Sequence, residues 1–262
     1  SVLLLHATGF HARLWDRVVA ALPAGTHVVA PDHRGHGRSY KPTSLSDWAA
    51  TSDALLPLVD RFAGVPLVGC GHSMGGYVLT RLAAERRRAF RHLFLVDPVI
   101  MDPAFYTGQA ETPVPDPADH PVARRRNHWE SWEAMSARFA ERPPYAHWQP
   151  QVLADYCRYG LLPAADGAGW KLACPPALEA SVYQNALRTS PHAWLDAISA
   201  PLSVIRARTG ERAGDLDFSL SPTWPALGAR LGAVRDEQWA ELSHFIPMEA
   251  PQRLADLIAA TF

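Results

Sequence analysis

"GCGHSMGGY", residues 69–77, places Ser73 between glycines that lie two residues away on either side. An apolar run that predicts a strand, "VPLVGC" at 65–70, leads into it, and a helical pattern, "YVLTRLAAERRR" at 77–88, follows. A serine in a tight strand-to-helix turn needs such glycines, because side chains there would collide across the turn. The helix N-terminus behind Ser73 also offers backbone N–H groups to a negatively charged oxygen. The stretch therefore predicts a nucleophilic serine in a strained backbone conformation.

Short apolar runs alternate with helical patterns on both sides of this turn. This alternation predicts a parallel sheet covered by helices on both faces, with right-handed crossovers. The predicted fold class is therefore α/β, a three-layer, doubly wound and mostly parallel sheet. Strands are predicted at 2–5, 27–32, 65–70, 92–97, 201–207 and around 236–242, and helices at 14–22, 47–63, 77–88, from about 222, and at 251–262.

The alternation stops over residues 98–199, which are rich in Pro, Trp and Arg and contain helical fragments. An insertion after a strand lies over the crevice where open α/β sheets bind ligands. We therefore expect residues 1–97 and 200–262 to form the core and residues 98–199 to form a helical cap. Most aromatic residues of this segment are expected to pack the cap onto the core, among them Phe105, Tyr106, Trp129, Trp132 and Trp148.

Two further loops that follow predicted strands contain candidate site residues. "HATGFH" at 6–11 follows the first strand, and Thr8 is the candidate there for a backbone N–H that binds an oxyanion. The second N–H is expected from Met74, directly after the serine. "LSHFIPMEAP" at 242–251 places His244 after the last strand, where a histidine can reach the serine as general base.

Together these stretches resemble the α/β-hydrolase fold family, in its branch with a serine nucleophile and a helical cap. The resemblance rests on H-x-T-G-F, D-x-R-G-H-G-x-S, G-H-S-M-G-G and a late S-H-F, in the family's order and spacing. It implies that His6, His36 and His72 structure loops, and Asp32 is likewise interpreted as a loop-fixing residue. Ala7 departs from the family, which usually has glycine at this position.

The acid that orients the histidine has two candidates. The family usually places it in the loop after the strand at 201–207, where Asp217 is the best candidate and Glu211 and Asp215 are weaker ones. Some family members instead place it after the strand that follows the nucleophile helix, and this position is Asp97. Asp97 and Asp217 therefore remain alternatives for one role.

Composition excludes several classes of function. The formal net charge of −1 gives no reason to expect a nucleic-acid or membrane partner. Three cysteines without a C-x-x-C pair favour a reducing, cytoplasmic location without disulfides or a zinc site. No cofactor or metal is predicted, and a monomer or homodimer is expected. The basic run at 124–126 is interpreted as a solvated helix end rather than a clamp for a substrate carboxylate. The chain begins within an apolar strand, which is consistent with a strand or hairpin preceding this sequence.

Serine, histidine and acid together support acyl transfer, so a small carboxylic ester or lactone is the expected substrate. The same residues are compatible with three alternatives. These are C–C bond hydrolysis of dienoic diketone acids, cofactor-free perhydrolysis, and a ligand sensor that keeps the fold without turnover.

Overall fold

A computed structural model describes residues 1–45, 47–165, 167–211, 214 and 217–262. In chain order its strands are β1 (Val2–Leu5), β2 (Val28–Val29), β3 (Leu67–His72), β4 (Phe90–Val96), β5 (His128–Trp129), β6 (Leu161–Pro163), β7 (Trp170–Leu172), β8 (Leu202–Arg206) and β9 (Arg235–Gln238). The main sheet has six parallel strands in the order β2-β1-β3-β4-β8-β9, which confirms the predicted fold class. A second, antiparallel sheet of three strands has the order β5-β7-β6.

Helices cover both faces of the main sheet. These are α1 (Asp16–Ala21), α2 (Trp48–Asp53), α3 (Leu56–Asp60), α4 (Met74–Glu85), α5 (Trp132–Phe139), α6 (Pro150–Tyr159), α7 (Pro176–Gln184), α8 (Leu227–Arg230), α9 (Ile246–Glu249) and α10 (Pro251–Ala259), of which α5, α6 and α7 lie in the segment between β4 and β8. Successive side chains of a strand point to opposite faces, and β1 shows this division directly. Leu3 and Leu5 pack into one apolar core with α2, α4 and α8, whereas Val2 and Leu4 pack into another with α1 and α10.

Two predicted elements differ from the structure because of proline. The single helix expected at 47–63 is divided into α2 and α3, since Pro57 near the start of α3 has no N–H to continue the hydrogen-bond ladder. The strand expected at 27–32 is reduced to the two residues of β2 at the edge of the sheet. Pro31 cannot donate a ladder hydrogen bond there.

The segment between β4 and β8 contains α5, α6, α7 and the small antiparallel sheet. This sheet was missed from the sequence because its strands are only two or three residues long. A third apolar cluster joins the segment to the rest of the molecule, and it includes Trp129, Trp148 and Tyr156 together with Phe10 and Phe245. None of the helices in the described part of the chain is long and apolar enough to cross a membrane.

Candidate active site

Ser73 lies at the carboxyl end of β3, directly before α4, in a backbone conformation that few non-glycine residues adopt. Its φ is 58° and its ψ is −119°. The Ser73 N–H donates to the carbonyl of Val96 on the neighbouring strand at 3.1 Å, which helps to hold the turn. A Cβ on Gly71 would lie 2.3 Å from the carbonyl oxygen of Gly75, and one on Gly75 would lie 2.1 Å from that of Leu5. Glycine is therefore required on both sides of Ser73.

His244 connects Ser73 to Asp97. Its Nε2 lies 3.0 Å from Ser73 Oγ, and its Nδ1 lies 2.6 Å from Asp97 Oδ2. A carboxylate only accepts hydrogen bonds, so Nδ1 carries the proton and Nε2 accepts from the serine hydroxyl. All three side chains are buried: the exposed fraction is 6% for Ser73, 3% for His244 and 0% for Asp97. The arrangement can move a proton from the serine to the histidine, with the resulting cation beside a carboxylate.

Asp97 follows β4, and its second carboxylate oxygen is held by the loop after β8. Asp97 Oδ1 accepts from the N–H of Ala207 at 3.0 Å and from the hydroxyls of Ser221 at 2.5 Å and Thr223 at 3.3 Å. The single hydroxyl proton of Thr223 is shared with the carbonyl of Pro98, which lies closer, at 2.7 Å. These donors orient the carboxylate so that Oδ2 faces His244.

The other acid candidates lie elsewhere. Both ring nitrogens of His244 are engaged by Asp97 and Ser73, and Asp217 instead accepts from the N–H and hydroxyl of Ser219 at 3.0 and 2.5 Å. Glu211 is exposed, and Asp215 lies outside the described residues. The structure therefore brings together Ser73, His244 and Asp97, but not Asp217.

Thr8 and Met74, from which the oxyanion donors were expected, meet at one side of Ser73. The Thr8 hydroxyl donates to Met74 Sδ at 3.4 Å, and Thr8 lines the same cavity as Ser73 and His244. Met74 is the first residue of α4, so its N–H has no carbonyl partner in a preceding helical turn.

Buried histidines support the turn that contains Thr8. His6 accepts from the N–H of His33 at 3.0 Å and donates to the carbonyl of Ala7 at 2.8 Å, while His33 donates to the carbonyl of His6. Desolvation lowers the pKa of His6 well below its usual value, that of His33 to about 3 and that of His36 to about 4. These imidazole rings are therefore neutral, and they stabilise the loops through hydrogen bonds to backbone groups. Within the ranges that the structure describes, no group of three or more His, Cys, Asp or Glu side chains is arranged to hold a metal ion.

Two other loop-structuring residues have the contacts expected of them. Asp32 accepts from the N–H groups of Ala12 and Arg38, both at 2.7 Å, and so joins two loops beside the site. His72 donates to the carbonyl of His244 at 2.8 Å and thereby fixes the backbone that carries the histidine.

A cavity of about 140 Å³ opens in front of Ser73 and His244. Its aromatic walls were not predicted, because none of the aromatic residues named from the sequence lines the cavity: Trp129 and Trp148 pack into the third apolar cluster, and Phe105 is 54% exposed. An aromatic side chain gives no local signal of facing a cavity rather than a core. The other lining residues are Ala7, Thr8, Phe10, Val122, Arg125, Pro144, Tyr145, Glu179, Tyr183, Phe218 and Phe245.

Arg125 contradicts the interpretation of the basic run as a solvated helix end. Its flanking residues Arg124 and Arg126 are exposed, as expected, but Arg125 lines the cavity and pairs with the buried carboxylate of Glu179. These two residues are 54 positions apart, so the local sequence contains no sign of the pair.

Comparisons with known proteins agree with this architecture. The chain is 29% identical over 263 residues to Lipase LipV of Mycobacterium tuberculosis, an alignment that covers 98% of this chain and 91% of LipV. Its structure is similar to that of E-2-(acetamidomethylene)succinate hydrolase, with a TM-score of 0.76, 17% identity and coverage of 99% and 90% of the two chains. It is also similar to the esterase Rv0045c of M. tuberculosis, with a TM-score of 0.68, 21% identity and coverage of 99% and 84%. The family model described as "Alpha/beta hydrolase family" matches residues 2–257, and the chain therefore belongs to the α/β hydrolase family.

Proposed function

We propose that the protein is a serine hydrolase that cleaves a carboxylic ester or a lactone through an acyl-enzyme. The observation that carries this proposal is the continuous hydrogen-bond chain from Ser73 through His244 to Asp97, in which Ser73 and His244 line a largely apolar cavity. Membership of a hydrolase family whose relatives include proteins named lipase and esterase supports the same chemistry.

In the proposed reaction, Ser73 Oγ attacks the substrate carbonyl carbon while His244 Nε2 accepts the hydroxyl proton. The backbone N–H groups of Met74 and Thr8 bind the negative oxygen of the tetrahedral intermediate. Asp97 stabilises the histidine cation, which then protonates the leaving alcohol. Water next attacks the acyl-enzyme, with His244 again taking and returning the proton, and this step releases the carboxylic acid.

The test uses a panel of p-nitrophenyl esters and lactones with the wild type, Ser73→Ala and His244→Ala. Each substitution is expected to lower kcat/KM by about 10⁴-fold or more, because the two residues act as one unit. Ser44→Ala, an exposed serine, is the matched control and should retain wild-type activity. A Ser73→Ala protein with undiminished activity would disprove the mechanism.

A second readout separates an enzyme from a ligand sensor. A fluorophosphonate should modify Ser73 in the wild type, as detected by the mass of the peptide that contains it, and should leave His244→Ala largely unmodified. Modification of Ser73 without turnover of any ester or lactone in the panel would contradict the proposed ester hydrolysis and favour the sensor.

A further inference from the structure

A charged pair lies in the wall of the cavity that contains Ser73. Arg125 Nη1 lies 2.7 Å from Glu179 Oε1 and 2.5 Å from Glu179 Oε2, and Arg125 Nη2 donates to the hydroxyl of Tyr156 at 2.8 Å. The side chain of Glu179 is 4% exposed and that of Arg125 is 24% exposed. The pair connects the segment before β5 to α7, and both residues line the cavity.

The pair leaves part of the guanidinium unused. Arginine has five N–H donors, of which Nη1 supplies two and Nη2 supplies two. In the described part of the chain, Arg125 contacts Glu179 through Nη1 and Tyr156 through Nη2, and its Nε makes no hydrogen bond. In the usual two-point pairing of arginine with a carboxylate, the two oxygens accept from two different guanidinium nitrogens. Here both oxygens of Glu179 contact Nη1, so the other nitrogens are not used by the carboxylate. Arg125 also lines the cavity, so the donors that Glu179 and Tyr156 do not engage are the candidates for a contact with a ligand there.

The charge balance determines which kind of ligand these donors suit. Both carboxylate oxygens of Glu179 contact Arg125 Nη1, so the two side chains form an ion pair; burial raises the pKa of Glu179, and the Arg125 charge opposes this rise. The pair then has no net charge. A substrate carboxylate would be a third buried charge beside one that is already matched, and an unmatched buried charge is strongly unfavourable. An uncharged carbonyl oxygen would accept a charge-assisted hydrogen bond without that cost.

We propose that Arg125, paired with Glu179, binds an uncharged hydrogen-bond acceptor of the substrate, such as a ketone or amide carbonyl remote from the scissile ester, and that Glu179 excludes substrates bearing a carboxylate at that position. This inference rests on the proposed ester hydrolysis. It names a specificity determinant in the inserted segment, separate from Ser73, His244 and Asp97.

Glu179 also touches the oxyanion turn, which affects the choice of measurement. A Cβ on Gly9 would lie 2.3 Å from Glu179 Oε1, so the carboxylate lies against the residue that follows Thr8. A substitution at Glu179 is therefore expected to change the absolute rate for every substrate. The ratio of kcat/KM values between substrates cancels this common effect and reports on recognition alone.

The experiment compares two substrate series of increasing chain length. One consists of p-nitrophenyl esters of straight-chain acids, and the other consists of acetate esters of straight-chain alcohols. The far end of each chain is a methyl group, a methyl ketone or a carboxylate, so that both sides of the scissile bond are covered. The background rate measured with Ser73→Ala is subtracted from each rate.

In the wild type we expect kcat/KM for the ketone-ended substrate to exceed that for the methyl-ended substrate by about 10- to 100-fold in at least one series and at one chain length. This is the range for a hydrogen bond to a charged group. The carboxylate should be the poorest substrate at that length. Glu179→Gln keeps an amide oxygen for Arg125 but removes the negative charge, so the carboxylate-to-ketone ratio should rise by about 10-fold or more. Arg124→Gln, an exposed neighbour, is the matched control and should keep the wild-type ratios.

The double variant Arg125→Met/Glu179→Leu protects the test against misfolding, because a buried ion pair can usually be replaced by apolar side chains of similar volume. It should hydrolyse the methyl-ended esters and lose the ketone preference. The inference would be overturned if the wild type hydrolysed the ketone-ended and methyl-ended substrates with equal kcat/KM in both series, or if it preferred the carboxylate-ended substrates. Either result would leave the proposed ester hydrolysis intact. Absence of turnover of the methyl-ended esters would instead count against the proposed function.

Discussion

The His244 imidazole receives its orientation from Asp97, whose Oδ2 lies 2.6 Å from His244 Nδ1. The two residues are 147 positions apart and follow different strands, β4 and β9. They meet because parallel strands end at the same edge of the sheet. The contact fixes the tautomer in which Nε2 faces Ser73 without a proton.

Asp97→Asn should abolish most of the hydrolytic activity without unfolding the protein. The asparagine oxygen can still accept from Ala207 and Ser221, which turns the amide NH₂ toward His244 Nδ1 and stabilises the wrong tautomer. We expect kcat to fall by about 10⁴-fold, as for the corresponding change in a serine protease triad. The measurement is kcat on a p-nitrophenyl ester, with circular dichroism to verify folding.

Asp217→Asn is the matched control for this substitution, since Asp217 contacts Ser219 rather than His244. It should keep kcat within a few-fold of the wild type. The reverse pattern, with Asp97→Asn active and Asp217→Asn inactive, would assign the acid to the later loop.

The difference between these two aspartates shows what the sequence could and could not predict. The turn at Ser73 was predictable because its glycines, its strand and its helix are adjacent in the chain. His244 was identifiable as a histidine directly after the last strand. The acid remained ambiguous because its choice depends on where a loop folds in space. A signal was present in Ser221 and Thr223, whose hydroxyls hold Asp97, but nothing in their spacing indicated which carboxylate they face.

The pair of Arg125 and Glu179 was missed for a related reason. Periodicity and charge patterns describe the surroundings of a residue along the chain, and an isolated arginine run is most often solvated. Pairing across 54 residues depends on how α7 packs against the segment before β5, which is a tertiary property. The buried carboxylate on α7 gave no separate indication of its partner.

Thr8→Val tests whether the oxyanion donor is the backbone of Thr8 or its side chain. Valine keeps the backbone N–H and the branched shape but loses the hydroxyl, which donates to Met74 Sδ. If the N–H is the donor, kcat should remain within a few-fold of the wild type. A loss of about 10²-fold or more, the cost of removing an oxyanion donor, would assign the hydroxyl to that role. Both results are measured on the same p-nitrophenyl ester.

Gly75→Ala should prevent formation of the turn that carries Ser73. The added methyl group would lie 2.1 Å from the carbonyl oxygen of Leu5, which is fixed in β1 and cannot rotate away. We expect a loss of about 3 kcal/mol or more in the free energy of unfolding, measured by urea denaturation. Gly214→Ala is the control, since no atom of the described residues lies within 4 Å of its added Cβ. Equal stability of the two variants would show that the turn tolerates a side chain at position 75.

Acid should destabilise the protein at a pH well above the usual range of carboxyl titration. Burial lowers the pKa of His11 and of His36 to about 4 and that of His33 to about 3, whereas in the unfolded chain a histidine has a pKa of about 6.5. Between these values the unfolded chain binds more protons than the folded protein. The stabilising contribution is therefore complete above pH ~6.5 and is lost as the pH falls toward ~4, by about 1.4 kcal/mol per pH unit for each such histidine.

Substitution of one of these histidines makes the pH effect specific. In His11→Gln the amide nitrogen can replace Nε2 as donor to the carbonyl of Tyr156, but the side chain no longer titrates. The slope of unfolding free energy against pH should decrease by up to about 1.4 kcal/mol per unit between pH ~6.5 and ~4, measured by urea denaturation at several pH values. His147→Gln, at an exposed position, should leave the slope unchanged. A wild-type protein whose stability stays constant over this range would show that the folded and unfolded chains bind the same number of protons, and hence that these rings are not held neutral by the fold.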